Sequence, residues 1–296
     1  AVEEPELHIQ PSQQKRLVNR LNALCDQTIV TTHSPIVASM FPIQDTLFIE
    51  INEGTLSAKS LMDTVPVQPT NHQQHILYAW RQRLISAMMH EFIIIPEGAS
   101  DVAWIEVLQT TLELHQGWET DNDNQSKLST FVGIVPTDDA KVVDTFEIVN
   151  RVHSKPCVLL DGDSAGFSYL ENLKLNSFQP HCVIIWPQDW AIEHVISWIA
   201  EADNEILKKL GNTFEQTFNN KDMLTEYLLK KKSYAPTHET TAVILMENNL
   251  CRKRCAQMLN SFCDILCSTD DTNNDFFNLL EDKSTPTMPV FQFEPS

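Results

Sequence analysis

Four short runs of consecutive apolar residues lie in the middle of the chain, and helical spacing of apolar positions follows each of them. Such a run is typical of a strand that is buried on both faces. Strands that alternate with helices predict a mostly parallel sheet covered by helices on both sides. We therefore expect an α/β fold with a four-stranded, mostly parallel sheet flanked by helices, in which the strands are residues 92–95, 131–135, 157–160 and 182–186.

The segments between these strands predict the covering helices. Apolar spacing indicates helices at about 102–114, capped by Ser100 or Asp101, and at 138–153. The polar stretch 119–130 is typical of an exposed insertion or loop.

The chain on either side of the sheet has a different organisation. Before it, we expect a helix at 12–25, strands at 28–32 and 46–52, and a helix at 75–90 with Ile76, Ala79, Trp80, Arg83 and Ala87 on one face. After it, we expect helices at 204–210, 222–232 and 240–267, then a poorly ordered tail from residue 268. The predicted units are 1–60, a connecting region 61–91, the sheet domain 92–202 and a helical region 203–296.

Composition narrows the possible classes of protein. With 21 basic and 40 acidic residues, the net charge of −19 excludes a protein that coats nucleic acid with its whole surface. No apolar run approaches the roughly 20 residues of a membrane span, so we expect no membrane association. The 7 cysteines lie in apolar segments, which favours the reducing cytoplasm, and the four at 251–267 predict a buried stripe rather than a zinc site. The histidines at 72, 75 and 90 are expected on the surface.

Acidic residues follow two of the predicted strands at the point where each strand ends. Asp161 and Asp163 come after 157–160 and are separated by a glycine, while Glu97 and Asp101 come after 92–95. Because the carboxyl ends of parallel strands meet at one edge of a sheet, these acids are expected to form one cluster. Carboxylate oxygens are the ligands preferred by hard cations such as Mg²⁺.

Two further acidic positions stay open. Either Asp189 or Glu193, after the last strand, could add a carboxylate to this cluster, and spacing does not choose between them. Asp138 and Asp139, after the second strand, have no assigned part.

The first forty residues carry a second candidate site. Glu3 and Glu4 precede the helix at 12–25, and His33 follows the strand at 28–32. In nucleotide chemistry, Glu3 could hold Mg²⁺ through water, Glu4 could orient an attacking water, and His33 could sense the γ-phosphate. The alternative is a capped helix between two strands.

These motifs carry a resemblance to known families. Glu97-Gly98…Asp101 together with Asp161-Gly162-Asp163…Gly166 resembles the Toprim domain of topoisomerases, primases and several nucleases. Residues 3–11 and 31–35 resemble the Walker B and switch-histidine motifs of ABC-type ATPases. A partial ABC ATPase segment followed by a Toprim domain and a helical C-terminal region resembles the OLD (overcoming lysogenization defect) family of ATP-dependent endonucleases.

The resemblance implies a DNA endonuclease that uses two Mg²⁺ or Mn²⁺ ions. Glu97, Asp161 and Asp163 would hold one ion, Asp101 and Glu193 the other, and Lys253 would neutralise charge on the scissile phosphate. It also implies a homo-oligomer formed through the ATPase region and, in several relatives, defence against phage with a possible partner protein. The rival interpretations are a topoisomerase or primase and an inactive Toprim binding module.

ATP enters these expectations only for an intact, full-length protein. No glycine of the chain is followed by lysine, so there is no phosphate-binding P-loop. We therefore expect the chain, which we interpret as a fragment, to hydrolyse no ATP by itself.

Overall fold

A six-stranded sheet lies at the centre of the part of the chain that the structure describes. The structure is a computed structural model and describes residues 1–52, 54–65, 67–115, 127–267 and 276–295. The strands are β1 (Val2–Glu3), β2 (Val30–Thr31), β3 (Leu47–Asn52), β4 (Thr55–Ser60), β5 (Phe92–Pro96), β6 (Val132–Ile134), β7 (Pro156–Leu160), β8 (Cys182–Ile185), β9 (Phe277–Leu279) and β10 (Val290–Phe293).

Thirteen α-helices lie in the described part of the chain, and several of them cover both faces of this sheet. They are α1 (Pro11–Leu24), α2 (Pro35–Ala38), α3 (Asn71–Gln74), α4 (Arg81–Met88), α5 (Ala99–Leu114), α6 (Lys127–Phe131), α7 (Val142–Val149), α8 (Ser164–Leu175), α9 (Ile192–Ala200), α10 (Asn204–Phe214), α11 (Lys221–Leu229), α12 (Ala235–Glu247) and α13 (Asn249–Cys267). None of the described helices is long and apolar enough to cross a membrane.

The strand order of the central sheet is β6-β5-β7-β8-β10-β9, and all neighbouring pairs are parallel except β10 and β9. The α/β class and the four predicted strands are thus confirmed as β5 to β8. The prediction of only four strands was wrong. The additional strands come from residues that we expected to be a poorly ordered tail, of which 268–275 and 296 lie outside the described residues.

Aromatic packing explains why the tail joins the sheet. Phe277, Phe291 and Phe293 are almost completely buried. The Phe293 ring lies 5.5 Å from the Trp186 ring and 5.2 Å from the Trp198 ring, both in edge-to-face contact. The sequence gives only a weak indication of these tail strands, because polar residues lie between the aromatic ones. The aromatic side chains become buried only when the tail pairs with β8.

Alternate side chains of each central strand enter two different hydrophobic cores. On one face, Ile94, Leu159 and Ile184 pack with residues of α5, α9, α12 and α13. On the other face, Ile95, Leu160 and Ile185 pack with residues of α4, α7 and α8. Burial on both faces is the reason that these strands appear in the sequence as uninterrupted apolar runs.

Several helix boundaries differ from the predictions. The helix expected at 138–153 begins only at Val142, because Ala140 has a left-handed φ of 61° and residues 138–141 form a turn. The helix expected at 75–90 is interrupted: α3 ends just before it, a π-helical turn runs from His75 to Ala79, and α4 follows. This turn changes the helical phase, so Leu84 and Met88 are buried whereas Ala79 and Arg83 are exposed.

The predicted C-terminal helices are present as α10 to α13. Cys251, Cys255 and Cys263 are buried in α13 and Cys267 is exposed, so the predicted cysteine stripe is confirmed in its buried part. Residues 119–126 of the predicted insertion lie outside the described residues, whereas residues 127–130, which we expected in the loop, belong to α6.

Near the N-terminus, β1 and β2 form a parallel pair and β3 and β4 form an antiparallel hairpin. The expected strand at 28–32 is shortened to β2, while the predicted helix at 12–25 is confirmed as α1.

Candidate active site at the carboxyl edge of the sheet

Four carboxylates gather where the parallel strands end. Glu97 follows β5, and Asp161 follows β7. Asp101 lies in the first turn of α5, and Glu193 lies in the first turn of α9, after β8. Since these strands are parallel neighbours, their carboxyl ends deliver all four side chains to one edge of the sheet.

Hydrogen bonds join these segments directly. The backbone N–H of Asp161 donates to Glu97 Oε2 at 2.9 Å, which connects the ends of β7 and β5. Ser100 Oγ donates to Glu193 Oε1 at 2.8 Å, which connects α5 to α9. Neither Ser100 nor Asp101 caps α5, as the sequence had suggested, because the helix begins earlier, at Ala99, and Gly98 is its N-cap residue.

Two glycines allow the close approach of backbone at this edge. A Cβ at Gly162 would lie 1.7 Å from the carbonyl oxygen of Pro187. A Cβ at Gly166 would lie 2.0 Å from the carbonyl oxygen of Asp161 and 3.2 Å from Glu97 Oε2. Any larger residue at either position would therefore force the acid-bearing loops apart.

The carboxylates disfavour one another's charge. Burial, followed by the charges of Asp101 and Glu97, raises the pKa of Asp161 to about 9. Burial, followed by the charge of Glu193, raises the pKa of Asp101 to about 7. Burial also raises the pKa of Glu97, although the hydrogen bond from the Asp161 N–H opposes this change.

Lys232, in the turn after α11, is the cation that approaches this cluster. Its Nζ lies 3.7 Å from Glu193 Oε2. Burial alone would lower the pKa of Lys232, but the charges of Glu193, Asp161 and Asp101 outweigh burial and raise it. The charge of Lys232 does not offset the effects that raise the pKa values of Asp161 and Asp101.

The buried oxygens of this cluster fit a cation that is held by oxygen ligands. Among the described residues, Asp101 Oδ1, Asp161 Oδ1 and Glu193 Oε2 are buried and have no hydrogen-bond partner. Asp101 is only 5% exposed and Glu193 is 0% exposed. Unpaired buried carboxylate oxygens are costly unless a cation satisfies them.

The acids lie close together but are not arranged as a complete metal-coordination site. No group of three or more His, Cys, Asp or Glu side chains within the described ranges is arranged to hold a metal ion.

Two of the predicted acids have different surroundings. Asp163 is exposed and caps α8, since its Oδ1 accepts hydrogen bonds from the backbone N–H groups of Ala165 and Gly166, each at 2.9 Å. Asp189 is exposed in a turn with a left-handed φ of 63°. Of the two alternatives after β8, the structure therefore brings Glu193, not Asp189, into contact with Ser100 and Lys232.

The lysine that approaches the acids in the structure, Lys232, is not the one named from the sequence. Lys253 is exposed on α13. Its neighbour Arg254 donates to the Trp198 carbonyl oxygen at 2.7 Å and lies over the Trp198 ring. Lys232 belongs to a run of three lysines that the sequence presents as a solvated helix face, and no spacing in the sequence distinguishes it from its neighbours.

The N-terminal residues form a separate small site. His33 Nε2 lies 3.4 Å from Glu4 Oε1, and Glu3 is exposed on β1. Sequence reasoning missed Glu6, whose Oε1 accepts hydrogen bonds from Thr32 Oγ1 at 2.6 Å and from the backbone N–H groups of His33 and Ser34. Burial opposes ionisation of Glu6, but these hydrogen bonds outweigh burial and lower its pKa.

One of the histidines expected on the surface is buried. His72 is 7% exposed and hydrogen-bonds on both sides of its ring, to Asp138 and to Thr145.

Comparison with known proteins adds no family to this description. No protein-family model matches the chain, and a search of curated proteins finds no match.

Proposed function

We propose that this chain carries the active site of a metal-dependent DNA endonuclease of the Toprim type, related to the OLD family. In this proposal Glu97, Asp101, Asp161 and Glu193 hold Mg²⁺ or Mn²⁺. Asp163 is an additional ligand of the ion that Glu97 and Asp161 hold. The substrate is a phosphodiester bond of DNA.

The observation that carries the proposal is the set of buried carboxylate oxygens that lack a hydrogen-bond partner at the carboxyl edge of a parallel sheet. A structural acidic turn would leave its carboxylates solvated or paired with basic groups. Here the acids follow three strands, burial and the neighbouring charges raise the pKa of Asp101 and Asp161, and Lys232 stands beside them. A pocket of this kind suits divalent cations and a negatively charged substrate.

The chemistry divides between the ions and the chain. Bound divalent ions supply an activated water and stabilise the leaving oxygen of a phosphodiester. The four carboxylates position those ions, while Lys232 supplies a positive charge at the entrance that stabilises charge developing on the phosphate. Lys232 takes this role in place of Lys253, because it approaches the acids.

A nucleotide site belongs to the same proposal for a longer protein. The pairing of Glu4 with His33, beside the hydrogen-bonded Glu6, supports the proposal that residues 1–60 are part of an ABC-type ATPase domain. Assembly through that domain, ATP dependence and a role in phage defence are part of the proposal for the intact protein.

The test is cleavage of supercoiled plasmid DNA by the purified chain with Mg²⁺, Mn²⁺ or EDTA. We expect nicking that depends on the metal and that decreases by roughly 100-fold or more in Asp161→Asn, which keeps the shape of the side chain but removes a ligand charge. Asp282→Asn, a change at an exposed acid in the turn between β9 and β10, is the matched control. Undiminished nicking by a folded Asp161→Asn chain would contradict the assignment.

The second candidate function is a topoisomerase, which needs a nucleophilic tyrosine, and one tyrosine lies near the acids. Burial, followed by the charges of Glu97 and Asp163, raises the pKa of Tyr169 on α8, so this tyrosine lies near the acids. A raised pKa disfavours the phenolate that would attack DNA. The same plasmid assay separates the two functions, since a covalent adduct between protein and DNA that is lost in Tyr169→Phe would favour the topoisomerase.

A further inference from the structure

Asp139 brings a further carboxylate to the acidic edge, from the loop that follows β6. Its Oδ1 lies 2.5 Å from the position that a Cβ at Gly98 would occupy, and Asp101 Oδ2 lies 3.6 Å from the same point. Gly98 has an ordinary extended backbone, with φ of −144°, so the turn itself does not require glycine there. The space left by the missing side chain is filled by the Asp139 carboxylate.

The charge of Asp139 acts on the same groups as the acids already described. It contributes to the raised pKa values of Glu97, Tyr169 and Lys232. Asp139 itself is exposed, whereas Asp101 is buried. Asp139 therefore lies on the solvent side of the cluster, where a ligand would enter.

A network of hydrogen bonds holds the loop that carries Asp139. His72 Nδ1 lies 3.3 Å from Asp138 Oδ2, and His72 Nε2 lies 3.0 Å from Thr145 Oγ1. Thr145 Oγ1 in turn lies 3.0 Å from Thr137 Oγ1. His72 thus fastens both the loop and the first turn of α7 to α3.

The loop conformation is one that an alanine does not adopt by itself. Ala140 has a φ of 61°, in the left-handed region that is unfavourable for residues with a Cβ. Contacts elsewhere in the fold must impose this conformation, and the His72 network is attached to the residues immediately before it. Asp139 is consequently directed toward Gly98 by tertiary contacts and not by local preference.

We propose that Asp139 is a further cation-binding carboxylate of this site, and that His72 is the residue that positions its loop. The inference rests on the proposed metal site and extends it, since each of the parallel strands β5, β6, β7 and β8 then supplies acid to one edge. Bringing an additional carboxylate close to Asp101 is unfavourable unless a cation lies between them. The unpaired Asp101 Oδ1 is the second observation that a cation belongs here.

The test measures binding of Mn²⁺ by the full chain, using the electron paramagnetic resonance signal of free Mn²⁺, and does not depend on DNA cleavage. We expect Asp139→Asn to weaken Mn²⁺ affinity by roughly 10–100-fold and Asp282→Asn to leave it unchanged. His72→Gln should weaken it in the same direction but by less, because Asp139 remains present but is less firmly placed. Asp138→Asn, at a half-exposed side chain, removes the charge from the same contact without a change in the buried histidine.

The outcomes separate this inference from the proposed function. If wild type binds Mn²⁺, Asp161→Asn loses it and Asp139→Asn keeps it unchanged, the role of Asp139 is wrong while the metal site stands. If Asp139→Asn weakens binding but His72→Gln and Asp138→Asn do not, the positioning role of His72 is wrong. If wild type does not bind Mn²⁺, both this inference and the proposed metal site are contradicted.

Discussion

Lys232 shows how a single side chain acquires its environment from residues far away in the sequence. It lies in a run of three lysines in which no spacing distinguishes one from another, yet its ammonium group approaches Glu193, which is buried at the start of α9. The pKa of Lys232 is raised because several acids surround it despite the opposing effect of burial. The group therefore stays positively charged at neutral pH.

The two candidate lysines give a direct comparison at the residue scale. We expect Lys232→Met to lower the rate of metal-dependent plasmid nicking by roughly 100- to 1,000-fold, because one charge that stabilises the phosphate is lost. Lys253→Met, at an exposed position on α13, should remain near wild type. The reverse result, with Lys253 essential and Lys232 dispensable, would restore the expectation from the sequence and remove Lys232 from the site.

The individual acids were predictable to different extents. Glu97, Asp101 and Asp161 could be found because an acid that follows an apolar run lies at a strand end. Glu193 could not be separated from Asp189 until its burial was known, and Asp139 had no assigned part. For Glu193 and Asp139, membership of the cluster depends on the direction in which the side chain leaves a turn. That direction is set by contacts with other segments of the chain.

At the scale of elements, the ends of β7 and β8 are held together by backbone contacts around Gly162. Its N–H donates to the Trp190 carbonyl oxygen and its carbonyl oxygen accepts from the Asp189 N–H, both at 2.8 Å. This connection aligns the Asp161 loop with the segment that leads into α9. The position of Glu193 relative to Asp161 depends on it.

Gly162→Ala tests this connection. The new Cβ would lie 1.7 Å from the Pro187 carbonyl oxygen, so one of the two loops must move. We expect a loss of about 1–3 kcal/mol in the free energy of unfolding, measured by urea denaturation, together with weaker Mn²⁺ binding. Ser164→Ala, at an exposed position in the same turn, is the control and should stay within about 0.5 kcal/mol. Unchanged stability in Gly162→Ala would show that the loops adjust freely.

The element predictions failed where local pattern and tertiary contact disagree. The helical spacing of residues 138–153 is real, but the left-handed Ala140 and the hydrogen bonds of Thr137 and Asp138 delay the helix to Val142. The spacing at 75–90 hides a π-helical turn, which adds a residue to the turn and moves the buried face. Neither the delayed start of α7 nor the π-helical turn can be recognised from the composition or from the spacing of apolar residues.

At the scale of the whole molecule, the acidic edge makes folding depend on pH. The folded-state pKa of Asp161 is about 9, far above its ordinary value of 3.8. Between these values the folded chain binds more protons than the unfolded chain, so the contribution of Asp161 to stability is greatest at low pH and is lost as the pH rises through about 9. Asp101 acts in the same direction up to about pH 7.

We therefore expect the unfolding temperature of the metal-free chain in EDTA to fall as the pH rises from 6 to 9. The loss that is due to Asp161 should be on the order of 1 kcal/mol per pH unit. Differential scanning calorimetry of wild type and Asp161→Asn measures it: the variant should be more stable at pH 8 and less dependent on pH, whereas Asp282→Asn should follow wild type. Addition of Mg²⁺ should reduce the fall, because bound cations offset the repulsion. Identical pH dependence in wild type and Asp161→Asn would contradict a buried, mutually repelling set of acids.

The sequence alone determined the α/β class, the four central strands and three of the acids that meet at their ends. It could do so because burial on both faces requires uninterrupted apolar runs, and because parallel strands bring their carboxyl ends to one edge. Tertiary structure alone decided that the tail completes the sheet, that Lys232 stands beside the acids, and that Glu193 and Asp139 point toward them. These outcomes depend on contacts between residues up to about a hundred positions apart, for which a local pattern of polar and apolar positions carries no information.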